Sequence, residues 1–274
     1  SAILMEPNTG KILYEKNANE LRPCASITKV MTLLLVMEAI DSGKISLDDQ
    51  VTASAHAASM GGSDIWLKEG ETMSVNDLIK ATVIMSANDA AVVLAEHVYG
   101  TEDEFVKQMN IRAKQLGMND TTFKNCNGLD EDGHLTTAHD VALMSAELIK
   151  HEKIFDYTLT WMDYVRDGET QLVNTNKLIR SYKGITGLKT GTTSQAGSCI
   201  SATAKRDNLS LVAVVLGCST TDERFTSAST LLDYGFANFS FASLQMPELG
   251  TVPVTNGIQG EVQAECTATA EVLI

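Results

Sequence analysis

The chain is short of positive charge: 21 lysines and arginines face 35 aspartates and glutamates over 274 residues, a formal net charge of −14. That balance argues against a nucleic-acid surface and leaves no basic amphipathic segment for a membrane surface. Basic groups that matter are therefore expected to be few and local. Long apolar runs are also missing. No stretch of 18 or more apolar residues occurs and no positively charged, apolar leader opens the sequence, so neither a transmembrane helix nor a signal peptide is expected in the residues shown. The opening on strand-like sequence leaves room for a leader already removed. The five cysteines, Cys24, Cys126, Cys199, Cys218 and Cys266, are odd in number and show no C-x-x-C spacing. They read as buried or free thiols, with no metal site and no cofactor.

What is present is enough apolar sequence, 44% of the residues with 20% charged, for one large domain or one domain with a small partner. Ala2–Met5 and Lys11–Tyr14 flank Asn8-Thr9-Gly10 and read as a hairpin. After Gly43, loops and short strands run to about residue 73. Ser74 with Asp77, Thr101 with Glu104 and Thr137 with Asp140 have capping-box spacing and start helices, with a further helix from Asp89 to about Val98. Residues 74–150 thus form a mainly helical block. From about 163 the texture is β, with its clearest hairpin at 198–204 and 209–217, and a closing helix follows over 222–236. The expected class is α+β: one antiparallel sheet made by the N-terminal hairpin and the late strands, with the helical block inserted between them. The tail from Met246, with Pro247, Pro253 and several glycines among short Val/Thr strands, reads as the start of a small β module that stops at Ile274. The expected division is 1–245 and 246–274.

Ser26-Ile27-Thr28-Lys29 precedes Val30–Ile40, a run apolar on every side that as a helix must be buried in the centre of a domain. Ser26 then falls in the first turn, and Lys29, three residues on, shares its face. Serine is a poor nucleophile at neutral pH, but a lysine in apolar surroundings loses part of its charge and can take the serine proton. A helix N-terminus adds N–H groups for an oxyanion. Lys189-Thr190-Gly191 ends a strand and can line a cleft with a charge, a hydroxyl and a backbone that a substrate can approach. Ser-x-Asn occurs at Ser74/Asn76 and at Ser86/Asn88. Capping accounts for the first; the second lies in a break between helices and is preferred for the site.

In this order and at these separations, Ser26–Lys29, Ser86–Asn88 and Lys189–Gly191 resemble the three motifs of penicillin-binding proteins and serine β-lactamases. The flanks Thr9-Gly10, Cys24-Ala25, Asn127–Asp130, Lys189–Gly197 and Glu223–Phe225 narrow the resemblance, over about residues 2–245, to the low-molecular-mass D-alanyl-D-alanine carboxypeptidases. The resemblance implies a β-lactamase/transpeptidase-like fold, with the tail similar to the start of that family's β-rich C-terminal domain. It implies Ser26 as the acylated nucleophile, Lys29 as its base, and Ser86, Asn88 and Lys189 as the proton network that also holds the substrate amide. The N–H groups of Ser26 and Thr192 would form the oxyanion hole, Gly191 would line the substrate strand, and Thr190 and Arg224 would hold a terminal carboxylate. The implied substrate is a peptidoglycan stem peptide ending in D-Ala-D-Ala, with β-lactams as covalent inhibitors. The implied location is extracytoplasmic, with peripheral membrane attachment through a C-terminal segment absent from this chain. D,D-endopeptidase, serine β-lactamase and a β-lactam-binding module without turnover remain as alternatives. The acids of Asn127–His134 read as turn residues rather than as a deacylating base, and His134 and His139 as loop and helix-cap residues.

Overall fold

The computed structural model describes residues 1–244, 250–263 and 270–274. Its centre is a five-stranded antiparallel sheet in the spatial order Lys11–Lys16, Ala2–Glu6, Leu209–Cys218, Gly197–Arg206, Ile185–Thr193. The strand carrying Lys189 is therefore an edge, paired on one side only. Successive side chains along a strand point to opposite faces, and both faces are covered here. Ile3, Met5, Val212, Val214 and Leu216 belong to one apolar core, and Leu4, Leu211, Ala213 and Val215 to the other. Burial on both sides explains why Leu211–Leu216 is an unbroken apolar run.

The closing helix, Thr221–Asn238, covers the second face with Phe225, Ala228, Leu231 and Leu232. The first face is covered by the helix Ala138–Leu148, and behind it lies the helix Lys29–Asp41. Every residue of that helix except Glu38, Ile40 and Asp41 is buried, as an all-round apolar helix requires. Each such Val, Leu or Met contributes about 1.5–3 kcal/mol. Gly43, at φ +72°, turns the chain away after the helix. Ser74, Thr101 and Thr137 each accept the backbone N–H of the residue three positions on, as N-caps.

One boundary departs from the sequence reading. Ser26 is not in the first turn of the α-helix. It lies in a preceding 3₁₀ turn, Ala25–Thr28, where residues three apart eclipse one another, so Ser26 and Lys29 still share a face. The helix begun at Ser74 changes after Lys80 into a π-helical turn, Ala81–Met85. It ends at Ser86 in the left-handed region, φ +65°, and the next helix starts at Asn88. In the tail, Phe241–Leu244 pairs with Ala270–Leu273 and Thr251–Pro253 with Glu261–Gln263. Met246, Pro247 and Cys266 lie outside the described residues; the other four cysteines are buried free thiols.

Candidate active site

The starts of the central helix and of the Asn88 helix meet the middle of the edge strand Ile185–Thr193 around one amine; Lys189-Thr190-Gly191, expected to end its strand, lies inside it because the ladder with Gly197–Arg206 runs on to Thr193. Lys29 is fully buried, and its Nζ lies 3.1 Å from Ser26 Oγ, 2.5 Å from Asn88 Oδ1 and 2.7 Å from the Asn127 carbonyl oxygen. The orientation of Asn88 is fixed: its Nδ2 donates to the Gly61 carbonyl at 2.6 Å, which can only accept, so Oδ1 faces Lys29. Burial lowers Lys29 from its ordinary range to about 7, against the raising influence of neighbouring groups that include Asp64 and Asp89. A neutral amine has two N–H groups and one lone pair. Asn88 Oδ1 and the Asn127 carbonyl, both pure acceptors, take the two hydrogens at the shorter distances. The lone pair is left for the third and longest contact, the Ser26 hydroxyl.

Lys189 sits beside this group. It is buried, and its Nζ donates to Ser86 Oγ at 2.8 Å and to the Thr190 carbonyl at 3.0 Å. Burial first, then the charges of Lys29 and Arg224, push it well below the ordinary lysine value. Burial depresses Lys29, as its apolar surroundings led the sequence reading to expect, and the repulsion between the two amines falls on Lys189. With Ser86 Oγ accepting from Lys189, the Ser86 hydroxyl hydrogen is free to be donated onward.

The strand end adds the remaining residues. Thr190 is buried and donates to Thr175 Oγ1 at 2.7 Å. Arg224 is no surface residue: it is 6% exposed, and its Nη1 donates to the Gly191 carbonyl at 3.0 Å and to Thr192 Oγ1 at 2.8 Å. Gly191 plays a part that its sequence context did not suggest. A Cβ there would stand 2.8 Å from Ser26 N, 2.9 Å from the Cys24 carbonyl oxygen and 3.0 Å from Ile27 N. The space that a side chain would take at Gly191 is thus filled by the Ser26 turn. Gly128 presses on the same turn from the other side, where a Cβ would lie 2.0 Å from the Ala25 carbonyl oxygen. Ala25 and Ser86 hold φ of +51° and +65°, conformations that cost about 1–3 kcal/mol each outside glycine and cluster where function fixes the backbone.

Of the two Ser-x-Asn pairs, only Ser86/Asn88 reaches the cluster. Ser74 caps its helix, and Asn76 Oδ1 accepts from Tyr157. Several supports escaped the sequence reading. Asp89 accepts the N–H groups of Ile65, Leu67 and Ala90, which fastens the Gly61–Leu67 loop to the helix start; its only signal was an acid in a first turn. His134 is buried and lowered by burial to about 4, hence neutral. Its Nδ1 accepts from Lys124 N, so Nε2 carries the hydrogen and donates to Thr28 Oγ1, which in turn donates to the Ala25 carbonyl. His134 therefore braces the Ser26 turn and performs no proton transfer. Asp130 accepts from Thr193 and Ser194, and Glu131 from Asn125, so these loop carboxylates are occupied.

The sequence matches the D-alanyl-D-alanine carboxypeptidase family model over residues 1–220. It is 50% identical over 242 residues to the D-alanyl-D-alanine carboxypeptidase DacF of Bacillus subtilis, covering 87% of this chain and 62% of that protein. The chain therefore spans less than two thirds of the length of that curated relative. Among solved structures, penicillin-binding protein 5 of Haemophilus influenzae superposes with a TM-score of 0.88 at 31% identity, over 100% of this chain and 81% of that one. Penicillin-binding protein D2 of Listeria monocytogenes, in its ampicillin-bound form, does so with a TM-score of 0.78 at 36% identity, over 86% and 96%. A sheet edge carrying Lys189, a half-buried Ser26 beside a buried Lys29 and these likenesses agree: the chain belongs to the D-alanyl-D-alanine carboxypeptidase family of low-molecular-mass penicillin-binding proteins.

Proposed function

We propose that this chain is a serine D,D-carboxypeptidase that removes the terminal D-alanine from peptidoglycan stem peptides outside the cytoplasmic membrane, and that β-lactams acylate it. The observation that carries the reading is the Lys29 amine, buried, lowered to about 7, and with only Ser26 left for its lone pair. Lys29 takes the Ser26 proton as Oγ attacks the penultimate D-alanine carbonyl. The N–H groups of Ser26 and Thr192 receive the oxyanion. The C–N bond then breaks, and the departing amine takes a proton through the Ser86 hydroxyl, which Lys189 orients. Water attacks the ester with Lys29 again as base, releasing the shortened peptide. Asn88 holds Lys29 and, with Lys189, the substrate amide. The catalytic domain is proposed to span 1–245, with 246–274 belonging to a second, β-rich module.

Arg224 and Thr190 are assigned to the free carboxylate of the substrate, where a guanidinium fork fits. A charge-assisted hydrogen bond contributes about 1.5–3 kcal/mol. Arg224→Ala is thus expected to lower kcat/KM for D-alanine release from a D-Ala-D-Ala peptide by roughly 10- to 100-fold. Amidating the peptide carboxylate costs the wild type a similar factor and the variant little, since one pair cannot be lost twice. Equal sensitivity of both proteins to amidation removes Arg224 from that role.

A further inference from the structure

One short stretch, residues 125–130, touches three parts of the site. The Asn127 carbonyl accepts from Lys29 Nζ at 2.7 Å. Gly128 lies so close to the Ser26 turn that a Cβ there would stand 2.0 Å from the Ala25 carbonyl oxygen. Asp130 reaches the edge strand Ile185–Thr193. The stretch is braced within itself. Gly128 N donates to Asn125 Oδ1 at 2.7 Å, Leu129 N to Asn127 Oδ1 at 3.0 Å, and Asn125 Nδ2 to the Leu129 carbonyl at 3.1 Å. Asp130 is thus joined through a fixed strap to the turn that bears Ser26.

The strand meets Asp130 just past Thr192. Thr193 Oγ1 donates to Asp130 Oδ1 at 2.6 Å and Ser194 Oγ to Oδ2 at 3.4 Å, while Ala196 N donates to Thr193 Oγ1 at 3.0 Å. The Thr193 hydroxyl gives its one hydrogen to a carboxylate, a hydrogen bond of the shorter and stronger kind. Before Thr193, Arg224 Nη1 holds the Gly191 carbonyl and Thr192 Oγ1. Thr192 therefore stands between two ties, one to the closing helix and one to the strap. Gly191 packs on the Ser26 turn by contact alone, whereas Asp130 adds a directional link between strand and strap.

We propose that Asp130 is a positioning residue for the oxyanion hole: by holding Thr193 and Ser194 to the strap it fixes the Thr192 N–H relative to the Ser26 N–H. The proposal rests on the reading of these two groups as the oxyanion donors. Such a pair works when both N–H groups reach one oxygen at about 2.7–3.1 Å. Ser26 N belongs to the turn and Thr192 N to the strand, so their spacing depends on what joins turn to strand. Without Asp130 the strand relaxes past Gly191, and the Thr192 N–H moves away from the oxygen that Ser26 N still holds.

The test reads the ester carbonyl of the acyl-enzyme by infrared difference spectroscopy, using penicillin with an isotope label at the β-lactam carbonyl. Hydrogen bonds from the two donors lower that stretch. In Asp130→Ala it is expected to rise, with acylation slowed roughly tenfold, less than the roughly 10²- to 10³-fold cost of losing a whole oxyanion donor. Asp130→Asn, whose amide oxygen still accepts from Thr193, recovers most of both. Thr193→Val cuts the tie from the strand, shows the same rise, and serves if Asp130→Ala folds poorly; combining the two adds little. A wild-type stretch equal to that of the unfolded acyl-protein means that no oxyanion hole grips the ester, and removes the underlying reading together with the proposal. A lowered wild-type stretch that Asp130→Ala and Thr193→Val leave in place, whatever their melting temperatures, overturns the proposal alone. A stretch that shifts as expected in a protein releasing no D-alanine leaves the Asp130 assignment standing and removes the proposed substrate.

Discussion

Lys29→Arg is expected to lower the rate of Ser26 acylation by penicillin on the order of 10⁴-fold, to near the limit of detection. Arginine keeps the length and the positive charge of the side chain, so an electrostatic role alone would survive the change. It cannot supply the lone pair, because a guanidinium stays protonated at any accessible pH. The wild-type pH profile carries the same logic with a sign that can be worked out. Lys29 is lowered from 10.5 to about 7, so it is mostly neutral above pH 7 and mostly protonated below. The acylation rate is expected to be level above that value and to fall tenfold per unit as pH drops beneath it. Stopped-flow or gel-based acylation rates, taken on protein verified as folded by circular dichroism, check both statements. Near wild-type rates in the arginine variant would move the base elsewhere.

Gly191→Ala is the second large effect, expected on the order of a 10²-fold loss of acylation with the sheet intact. Its new methyl meets Ser26 N at 2.8 Å and Ile27 N at 3.0 Å. Both atoms are backbone, and nothing flexible can yield. The Ser26 turn has to move outward, and displacement of a nucleophile by about 1 Å is enough for a loss of this size. The strand pairs Gly191 with Cys199 and Lys189 with Ser201, and that ladder does not involve the new methyl. Acylation should therefore suffer more than melting temperature. Wild-type acylation in the alanine variant would mean that the turn tolerates the shift and that the glycine serves the substrate instead.

The site was legible in sequence to the extent that its groups are named by residue type and local spacing. Ser26 and Lys29 lie three apart, and either an α or a 3₁₀ turn puts them on one face. Lys189 was marked by its place in a β segment, although the strand continues to Thr193, and Ser86/Asn88 by the break between helices, whose left-handed Ser86 and π-helical approach explain why a helix stops there. The helices with N-cap serines and threonines began where their caps said. The burial of both sheet faces matches the unbroken apolar run Leu211–Leu216. What stayed hidden depends on long-range packing, which carries no local signal. The Asn127 carbonyl reaches Lys29 across 98 residues and Thr175 reaches Thr190 from a separate loop. Nothing local marks Arg224 as buried, because its burial depends on how the closing helix meets Gly191 and Thr192 of the edge strand. The contact of Gly191 with the Ser26 turn stayed hidden for the same reason: its neighbour is the turn bearing the nucleophile, some 165 residues earlier in the chain.

The central claim is that Ser26 is the residue acylated, with Lys29 as its base. Incubation with penicillin followed by proteolysis and peptide mass spectrometry tests it most directly. A single penicilloyl adduct on the peptide containing Ser26, absent from Ser26→Ala, is the predicted result. An adduct mapped to Ser86, or no adduct on the folded protein, contradicts the account.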